Sequence, residues 1–580
     1  MSWIFGFYSK RSNIDKSIKY CHPNPIAVIS EPNYYLSIGG NKNTSYIETE
    51  RPDSKFLICG FAISEDAAKI VSKNDWNQIL NGSPNELNSL NGHFCGIFIK
   101  NNSLNLFTDK LGLREFHIYE TNIGWYFSTR LDWLLKLNRF EMNFGEFGSR
   151  WLLINQLSNQ SIVKSIYRLN CGEKIIFNNN QSVVESINWV PSKGKSITDE
   201  EYKSKLKNLI LTGFKRSSKI SLSLSGGMDS RVILSFLLNA NHTNWDCHTF
   251  LTDSKMDLRI AERIAKDLEV KHKVYSLDEL STSAIIDNLF EYIGITYLTE
   301  SGFTSQKLTH YKFFSEDELI IDGGFGEIWR REFLTRLFFY GKKDLENENH
   351  PSTVKYLLNN RADIFTENYS GLMMNGCIEQ IDHISRSLPS INEIGIGNWL
   401  DLFSLKTRLV NYYAQEQSRI DNYVMSYMPF IQPSLIKDLL NVPITKRKNS
   451  RLFKNIIQSN SGRLSKYSLA KGNMSYPFYF TPLLKRVYSI LYGKFVGNKA
   501  KNELDLYLLT IKDFVFDSIQ STSAKNYAPY NYPRILKGIE SYYKGDTSNN
   551  TFVDWFISFE IFRQILESEP NSALIENGID

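Results

Sequence analysis

The run Ser223-Leu224-Ser225-Gly226-Gly227-Met228-Asp229-Ser230-Arg231 constrains this chain more than any other part of its sequence. An apolar segment, Ile220 to Leu224, leads straight into two glycines and then into a helix-forming stretch. Glycines let the backbone approach a ligand with no side chain in the way. The amides at a helix start lack partners within the helix and favour anions. Ser225 and Ser230 add hydroxyl donors. Asp229 is out of place beside phosphates unless it holds a magnesium ion that bridges them. A generic strand–helix turn is the plain alternative, and Gly-Gly alone would favour it. The full Ser-Gly-Gly-x-Asp-Ser pattern after an apolar strand favours a nucleotide loop. No Lys-Ser/Thr follows at Walker spacing, which argues against kinase- or GTPase-type γ-phosphate transfer.

The pattern around the loop alternates between strand and helix. Strands are expected at Ile220–Leu224, Trp245–Leu251, Val270–Tyr275 and Glu318–Ile321, with helices at Asp229–Asn239, Asp257–Leu268 and, largely, Leu277–Tyr292. Such alternation predicts an α/β fold with a doubly wound parallel sheet. Ligands of these sheets sit beyond the carboxyl ends of the strands. Leu224, Leu251, Asp257 and Gly323 fall at those ends and join the loop as candidate nucleotide contacts.

The first 190 residues read differently. Phe56–Ile63, Phe94–Ile99, Leu104–Thr108, Trp125–Ser128 and Lys174–Phe177 are strand candidates, and Leu131–Leu137 is a short helix. Asn91-Gly92, Asn101-Asn102 and Asn178-Asn179-Asn180 suit turns. A linker follows at Pro191–Ser196, and Thr198 before Asp199-Glu200-Glu201 is a helix N-cap. The division is therefore residues 1–190, 197–480, and a mostly helical, aromatic extension at 481–580. Hydrophobic residues make up 42% and charged residues 22% of the 580, ordinary for a globular protein. With 67 basic and 62 acidic residues, the net charge of +5 gives no reason to expect a nucleic acid or membrane-surface partner. Six scattered cysteines form no disulfide framework and nine histidines no metal spacing. Apolar stretches fall well short of the ~20 residues of a membrane span. No secretory signal is evident, and the chain reads as cytoplasmic.

With these residues in hand, the sequence resembles the class II asparagine synthetase family, whose relatives include enzymes that make β-lactams or cyclise lasso peptides. Besides the loop, the resemblance rests on Asp257-Leu258-Arg259-Ile260-Ala261-Glu262, on Ile321-Asp322-Gly323-Gly324-Phe325-Gly326-Glu327, on Met428-Pro429-Phe430-Ile431, and on Leu469-Ala470-Lys471-Gly472 in a loop before Pro477. In the N-terminal part it rests on Leu90–Phe94, Thr108–Gly112, Tyr126–Thr129 and Leu169–Glu173. It implies an αββα glutaminase-like domain followed by a synthetase domain. It further implies ATP and Mg²⁺, with adenylation of a small-molecule or peptide carboxylate, release of pyrophosphate, and attack by an amine or ammonia. Lys471 would stabilise charge on the adenylate and pyrophosphate; its ordinary alternative is a solvated loop lysine. Glu327 would be a metal or pyrophosphate ligand, and Asp257 an acid near the nucleotide. Either is open to a simpler role as a helix-start acid. Arg330-Arg331 reads best as a solvated helix face.

The chain departs from the family at Ser2, where the glutaminase has its nucleophilic cysteine. A thiolate attacks an amide far better than an unactivated hydroxyl. The glutamine-holding segments are reduced to Arg51-Pro52-Asp53 and Cys59-Gly60-Phe61. Gly324 stands where the family has a catalytic glutamate, with Asp322 as a candidate substitute, and Tyr427 where it usually has arginine. The expectation is an ATP-dependent, AMP-forming amide ligase without glutaminase activity. A specialised amide synthetase or cyclase is the second reading. The third is a non-catalytic nucleotide-binding scaffold. The sequence leaves the oligomeric state open.

Overall fold

The computed structural model describes residues 2–11, 21–50, 54–65, 69–82, 84–100, 103–154, 156–178, 181–186, 188–212, 219–240, 244–251, 255–276, 281–472, 474–495 and 503–570. The segment Arg51-Pro52-Asp53, the turns at 101–102 and 179–180, and the start of the helix expected from Leu277 lie outside them.

Two antiparallel sheets form the N-terminal part. The first has the order β11-β9-β10-β1-β3-β2, built from β1 (Ser2–Ser9), β2 (Ala27–Glu31), β3 (Tyr34–Gly40), β9 (Phe116–Glu120), β10 (Gly124–Ser128) and β11 (Ile166–Leu169). The second has the order β13-β12-β8-β7-β5-β4, with β6 beside β5. Its strands are β4 (Ser45–Glu48), β5 (Ser54–Ser64), β6 (Lys69–Ile70), β7 (Asn91–Lys100), β8 (Ser103–Thr108), β12 (Lys174–Asn178) and β13 (Gln181–Glu185). Every residue of β1 is buried. Ile4 and Tyr8 face Leu57, Ile97 and Leu106 between the sheets, whereas Trp3, Phe5 and Phe7 pack outward with the helices Leu131–Leu134 and Phe144–Leu152. On the other side, Phe56, Phe94 and Phe98 pack under Trp76 of the helix Lys73–Asn81. The layers thus run helix, sheet, sheet, helix.

Asn91-Gly92 does not turn the chain; it opens β7. Gly92 holds φ +103°, and a Cβ there would stand 2.2 Å from the Phe61 carbonyl oxygen, so glycine serves a close strand approach. Both residues then reach across to the second half of the chain. The Gly92 amide donates to Gln432 and the Asn91 side chain accepts from the Ser434 amide, at 2.6 and 2.9 Å.

Thr198 caps the helix Asp199–Thr212 through a reciprocal bond pair with Glu201. Beyond it, β14 (Lys219–Ser223), β15 (Trp245–Phe250), β16 (His272–Tyr275), β17 (Glu318–Ile321) and β18 (Met425–Tyr427) make a five-stranded sheet, parallel throughout, in the order β16-β15-β14-β17-β18. Strands are added to one side of β14 and then to the other. The order therefore reverses between β14 and β17, which is where such sheets bind ligands. A continuous rod from Ile396 to Ile420 flanks the sheet, and its middle, Leu405–Tyr413, is wound as a π-helix.

The extension after 480 is not an appendage. In its last helix, Asn550–Glu567, every residue from Val553 to Arg563 is buried. Trp555 meets Trp151 edge-on at 5.6 Å, and the Phe140 amide donates to the Leu566 carbonyl at 2.8 Å. No helix among the described residues is long and apolar enough to cross a membrane.

Candidate functional site

The Ser-Gly-Gly-x-Asp-Ser loop leaves β14 at the reversal point and ends in the helix Asp229–Leu237. Its own hydroxyls shape it. The Ser225 amide donates to Ser230 Oγ at 3.2 Å, and the Gly227 amide to Ser225 Oγ at 3.1 Å. Among the described residues no side chain caps the helix start, so it presents the uncompensated amides that attract anions. Asp257 accepts the Gly226 amide at 2.9 Å and so holds the loop itself. Leu224 is buried, its amide donating to His248 O and its carbonyl accepting from Thr249 Oγ1, so both its backbone groups and its side chain are spent on the fold. Leu251 is 45% exposed at the carboxyl end of β15.

The loop after β17 closes on the first. A Cβ on Gly323 would lie 2.9 Å from both the Cβ of Asp229 and the Ser230 amide, and one on Gly326 would lie 2.4 Å from the Asp229 carboxyl carbon. The two loops interlock because those positions carry no side chain. A Cβ on Gly324 would meet Met428 Sδ at 2.7 Å and Asp322 Oδ1 at 3.0 Å. Asp322 accepts the Gly324 amide at 2.6 Å and is pushed up to about 6 by burial, with the Glu416 charge adding to that. Tyr427 is fully buried against Phe61, with a hydroxyl that makes no hydrogen bond among the described residues.

Arg330-Arg331 is not a solvated face. Arg330 Nε and Nη2 grip both oxygens of Asp229 at 2.8 and 2.7 Å, and Nη1 reaches Glu332 at 2.6 Å. Arg331 pairs with the buried Asp401. The reason is the left-handed turn at Phe325, which folds the segment Gly326–Arg330 back under the nucleotide loop. Burial raises the Asp229 carboxyl from its ordinary range, Arg330 opposes this, and Glu327 and Glu332 add to it. Glu327 is half-buried and accepts from Tyr413, on the π-wound segment, at 3.3 Å. The same rod carries Glu416. Glu416 and Glu300 both bind Lys307, at 3.0 and 2.8 Å, and hold it charged although burial works against it.

Lys471 does not sit in a loop. It ends β19 (Leu469–Lys471), which pairs antiparallel with β20 (Met474–Tyr476). Three residues are too few for period-two alternation to show. The hairpin is tied to the nucleotide loop: the Ala470 amide donates to Gly226 O at 2.9 Å, and the buried Arg231 donates to Gly226 O, Tyr467 O and Ser468 O. Gly226 is required here, since a Cβ would come within 2.7 Å of the Ala470 methyl.

A nucleoside triphosphate fits what these residues offer: an uncapped helix start, two serine hydroxyls, and an exposed lysine on the hairpin tied to the loop. Magnesium fits less directly. Both Asp229 oxygens carry Arg330, and no group of three or more His, Cys, Asp or Glu among the described residues makes a metal site. A magnesium ion that binds mainly to substrate phosphates needs only one or two carboxylates, which Glu327 and Asp229 would supply once Arg330 shifts.

The place of a glutaminase nucleophile is closed. Ser2 is 3% exposed within β1, its hydroxyl accepts the Gly60 amide at 3.2 Å, and its carbonyl accepts from Arg114 at 2.7 Å. The cavity beside it, lined by Ser2, Asn41, Thr44, Gly60, Asp421 and Met425, measures about 10 Å³. That is room for at most about one water. A cavity of about 440 Å³ lies elsewhere, among Leu135, Phe290, Glu291 and Ile565, and shares no residue with the loops. Chemistry and not volume therefore marks the site.

No family model and no curated protein matches the chain. Among solved structures, it is similar to a glutamine phosphoribosylpyrophosphate amidotransferase from B. subtilis complexed with ADP and GMP, at 9% identity and TM-score 0.22, over 58% of this chain and 79% of that one. It is also similar to an NH3-dependent NAD synthetase from Campylobacter jejuni, at 16% identity and TM-score 0.17, over 34% and 99%. An NMN synthetase from Francisella tularensis aligns at 14% identity and TM-score 0.16, over 38% and 96%. Scores this low add no weight to the site, which stands on its geometry.

Proposed function

We propose that this chain is an ATP-dependent, AMP-forming amide ligase of the asparagine synthetase type. The observation that carries the reading is the interlock at the reversal point of the parallel sheet. There an uncapped helix start, the Asp229–Gly323 contact and the Lys471 hairpin converge on one small volume. In this reading the triphosphate lies over the uncapped helix start at residues 228–230. A carboxylate oxygen of the acyl substrate attacks the α-phosphorus. The bond to the bridging oxygen breaks, its electron pair leaving with pyrophosphate. Lys471 balances the charge that builds up on the pentacoordinate phosphorus and leaving group. An amine then attacks the acyl carbon, AMP leaves, and the amine's surplus proton passes to a neighbouring carboxylate such as Glu327 or Asp322. Magnesium, when bound with ATP, supplies further charge neutralisation on the phosphates.

The closed pocket at Ser2 favours one version of this reading, in which ammonia or an amine on the substrate is the nucleophile and glutamine is not used. That description covers the specialised synthetase or cyclase as well as ammonia-dependent asparagine formation. ATP–pyrophosphate exchange over a panel of carboxylates distinguishes them. Exchange with aspartate supports the asparagine type, and exchange only with a larger acid supports the specialised enzyme. ADP as the main nucleotide product would overturn the adenylation chemistry. No exchange with any acid, together with intact ATP binding, would leave the scaffold reading.

A further inference from the structure

Helix Pro482–Phe495 follows directly on the Lys471 hairpin. Its first turn is anchored by the Lys485 amide donating to Thr481 O at 2.9 Å. This sets the Lys485 ammonium 4.7 Å over the ring of Tyr476. Tyr476 belongs to β20 and pairs in register with Leu469, two residues before Lys471. The strand paired with β20 is the one whose Ala470 amide is tied to Gly226 O of the nucleotide loop. A second cation is thereby carried onto the same hairpin as Lys471, by an element that no sequence motif marks.

We propose that Lys485 is a second pyrophosphate-binding residue, acting beside Lys471 on the leaving group. The proposal rests on the ATP-dependent reading above and adds a residue to it. Neither ammonium is held by a carboxylate among the described residues. The counter-charge both feel, Glu332, is already bound by Arg330 at 2.6 Å and by the Ser450 hydroxyl at 3.3 Å. Both are held below the ordinary lysine range, Lys471 by burial and then by the Lys485 charge, Lys485 by burial with Arg330 contributing. A solvated surface lysine has no such company. The aromatic face under Lys485 favours its charged form and fixes its direction. As the bond from the α-phosphorus to the bridging oxygen breaks, the departing electron pair raises the charge on the pyrophosphate. Two ammonium groups, each able to donate three hydrogen bonds, meet that charge from the hairpin and from the helix.

The experiment is calorimetric titration of the full chain with inorganic pyrophosphate plus magnesium and, separately, with ATP and with AMP. Lys485→Ala should weaken pyrophosphate roughly ten- to a hundredfold, as expected for a lost charge-assisted hydrogen bond, and leave AMP unchanged. Lys485→Arg should restore most of the affinity, and the exposed Lys466→Ala should match the parent chain. Equal melting temperatures exclude misfolding as the cause; if Lys485→Ala melts early, Lys485→Gln takes its place in the same titration. Pyrophosphate affinity unchanged in these variants, while the parent binds ATP, overturns the role of Lys485 alone. A parent chain that binds neither pyrophosphate nor ATP overturns the ATP reading with it.

Discussion

At the scale of single residues, the site depends on absent side chains as much as on present ones. Gly323 lies against backbone, the Ser230 amide, and against the Cβ of Asp229, neither of which can swing aside. Gly323→Ala is therefore expected to push the two loops apart. The stability loss should be modest, about 1–3 kcal/mol as for other overpacked positions. ATP affinity should fall at least tenfold, because the Asp229–Arg330 grip forms only when the loops touch. Calorimetry on the variant, with a thermal melt alongside, decides this; an alanine variant that binds ATP like its parent would refute the interlock. This part was legible in the sequence. The resemblance puts the Asp322–Glu327 loop on the pyrophosphate side of the same nucleotide that Ser-Gly-Gly-x-Asp-Ser would hold. Arg330 was not legible, because an arginine pair carries no sign of the left-handed turn at Phe325 that directs it inward. Asp257 was read as an acid near the nucleotide, and the structure gives its carboxylate a nearer task on the Gly226 amide.

At the scale of elements, the parallel sheet announced itself through alternation, with β14, β15, β16 and β17 each within two residues of expectation at either end. β18 and the β19–β20 hairpin escaped because three residues hold too little pattern. β1 escaped for the opposite reason: buried on both faces, it shows no polar alternation. The sheet also contains a titratable group that its pattern concealed. His248, in β15, is fully buried, its Nδ1 sharing a hydrogen bond with Ser221 at 2.9 Å. Burial pushes its imidazole down to about 3, and that of His310, stacked on Phe250, to about 4. Unfolding returns both to about 6.5. Between those values the unfolded chain binds more protons than the folded one. The stability due to neutral burial is thus complete above about pH 6.5 and is lost as pH falls toward 3, at up to about 1.4 kcal/mol per unit for each histidine. Urea unfolding at pH 7.5 and 5.5 should show the loss. His248→Gln should flatten it, and an identical pH slope in that variant would assign the acid lability to other groups.

At the scale of the whole molecule, the two halves are joined by buried charge. Asp421, just before β18, accepts from His93 at 2.8 Å and from Arg114 at 3.1 Å, and Arg114 in turn holds the carbonyl of Ser2. Asp421→Ala leaves the buried Arg114 without its carboxylate, a change expected to cost about 3–5 kcal/mol. A single early melting transition would show one cooperative unit. Two separated transitions would show that the halves fold independently and that the junction matters less than its burial suggests. The same junction occupies the ground around Ser2. The protein is accordingly expected to release no glutamate from glutamine, with or without ATP and an acyl substrate. Release that disappears in Ser2→Ala would mean that the closed pocket opens in solution.

The Trp151–Trp555 contact bears on how the protein is made. Ribosomes deliver the helix Phe144–Leu152 well before the helix Asn550–Glu567 that covers Phe147 and Trp151. Throughout synthesis of the intervening sheet, a belt of aromatic rings stays wet and available to chaperones or to other nascent chains. Deleting residues 550–567 would not trim an accessory piece. It would strand that belt, and the product would be recovered as aggregate.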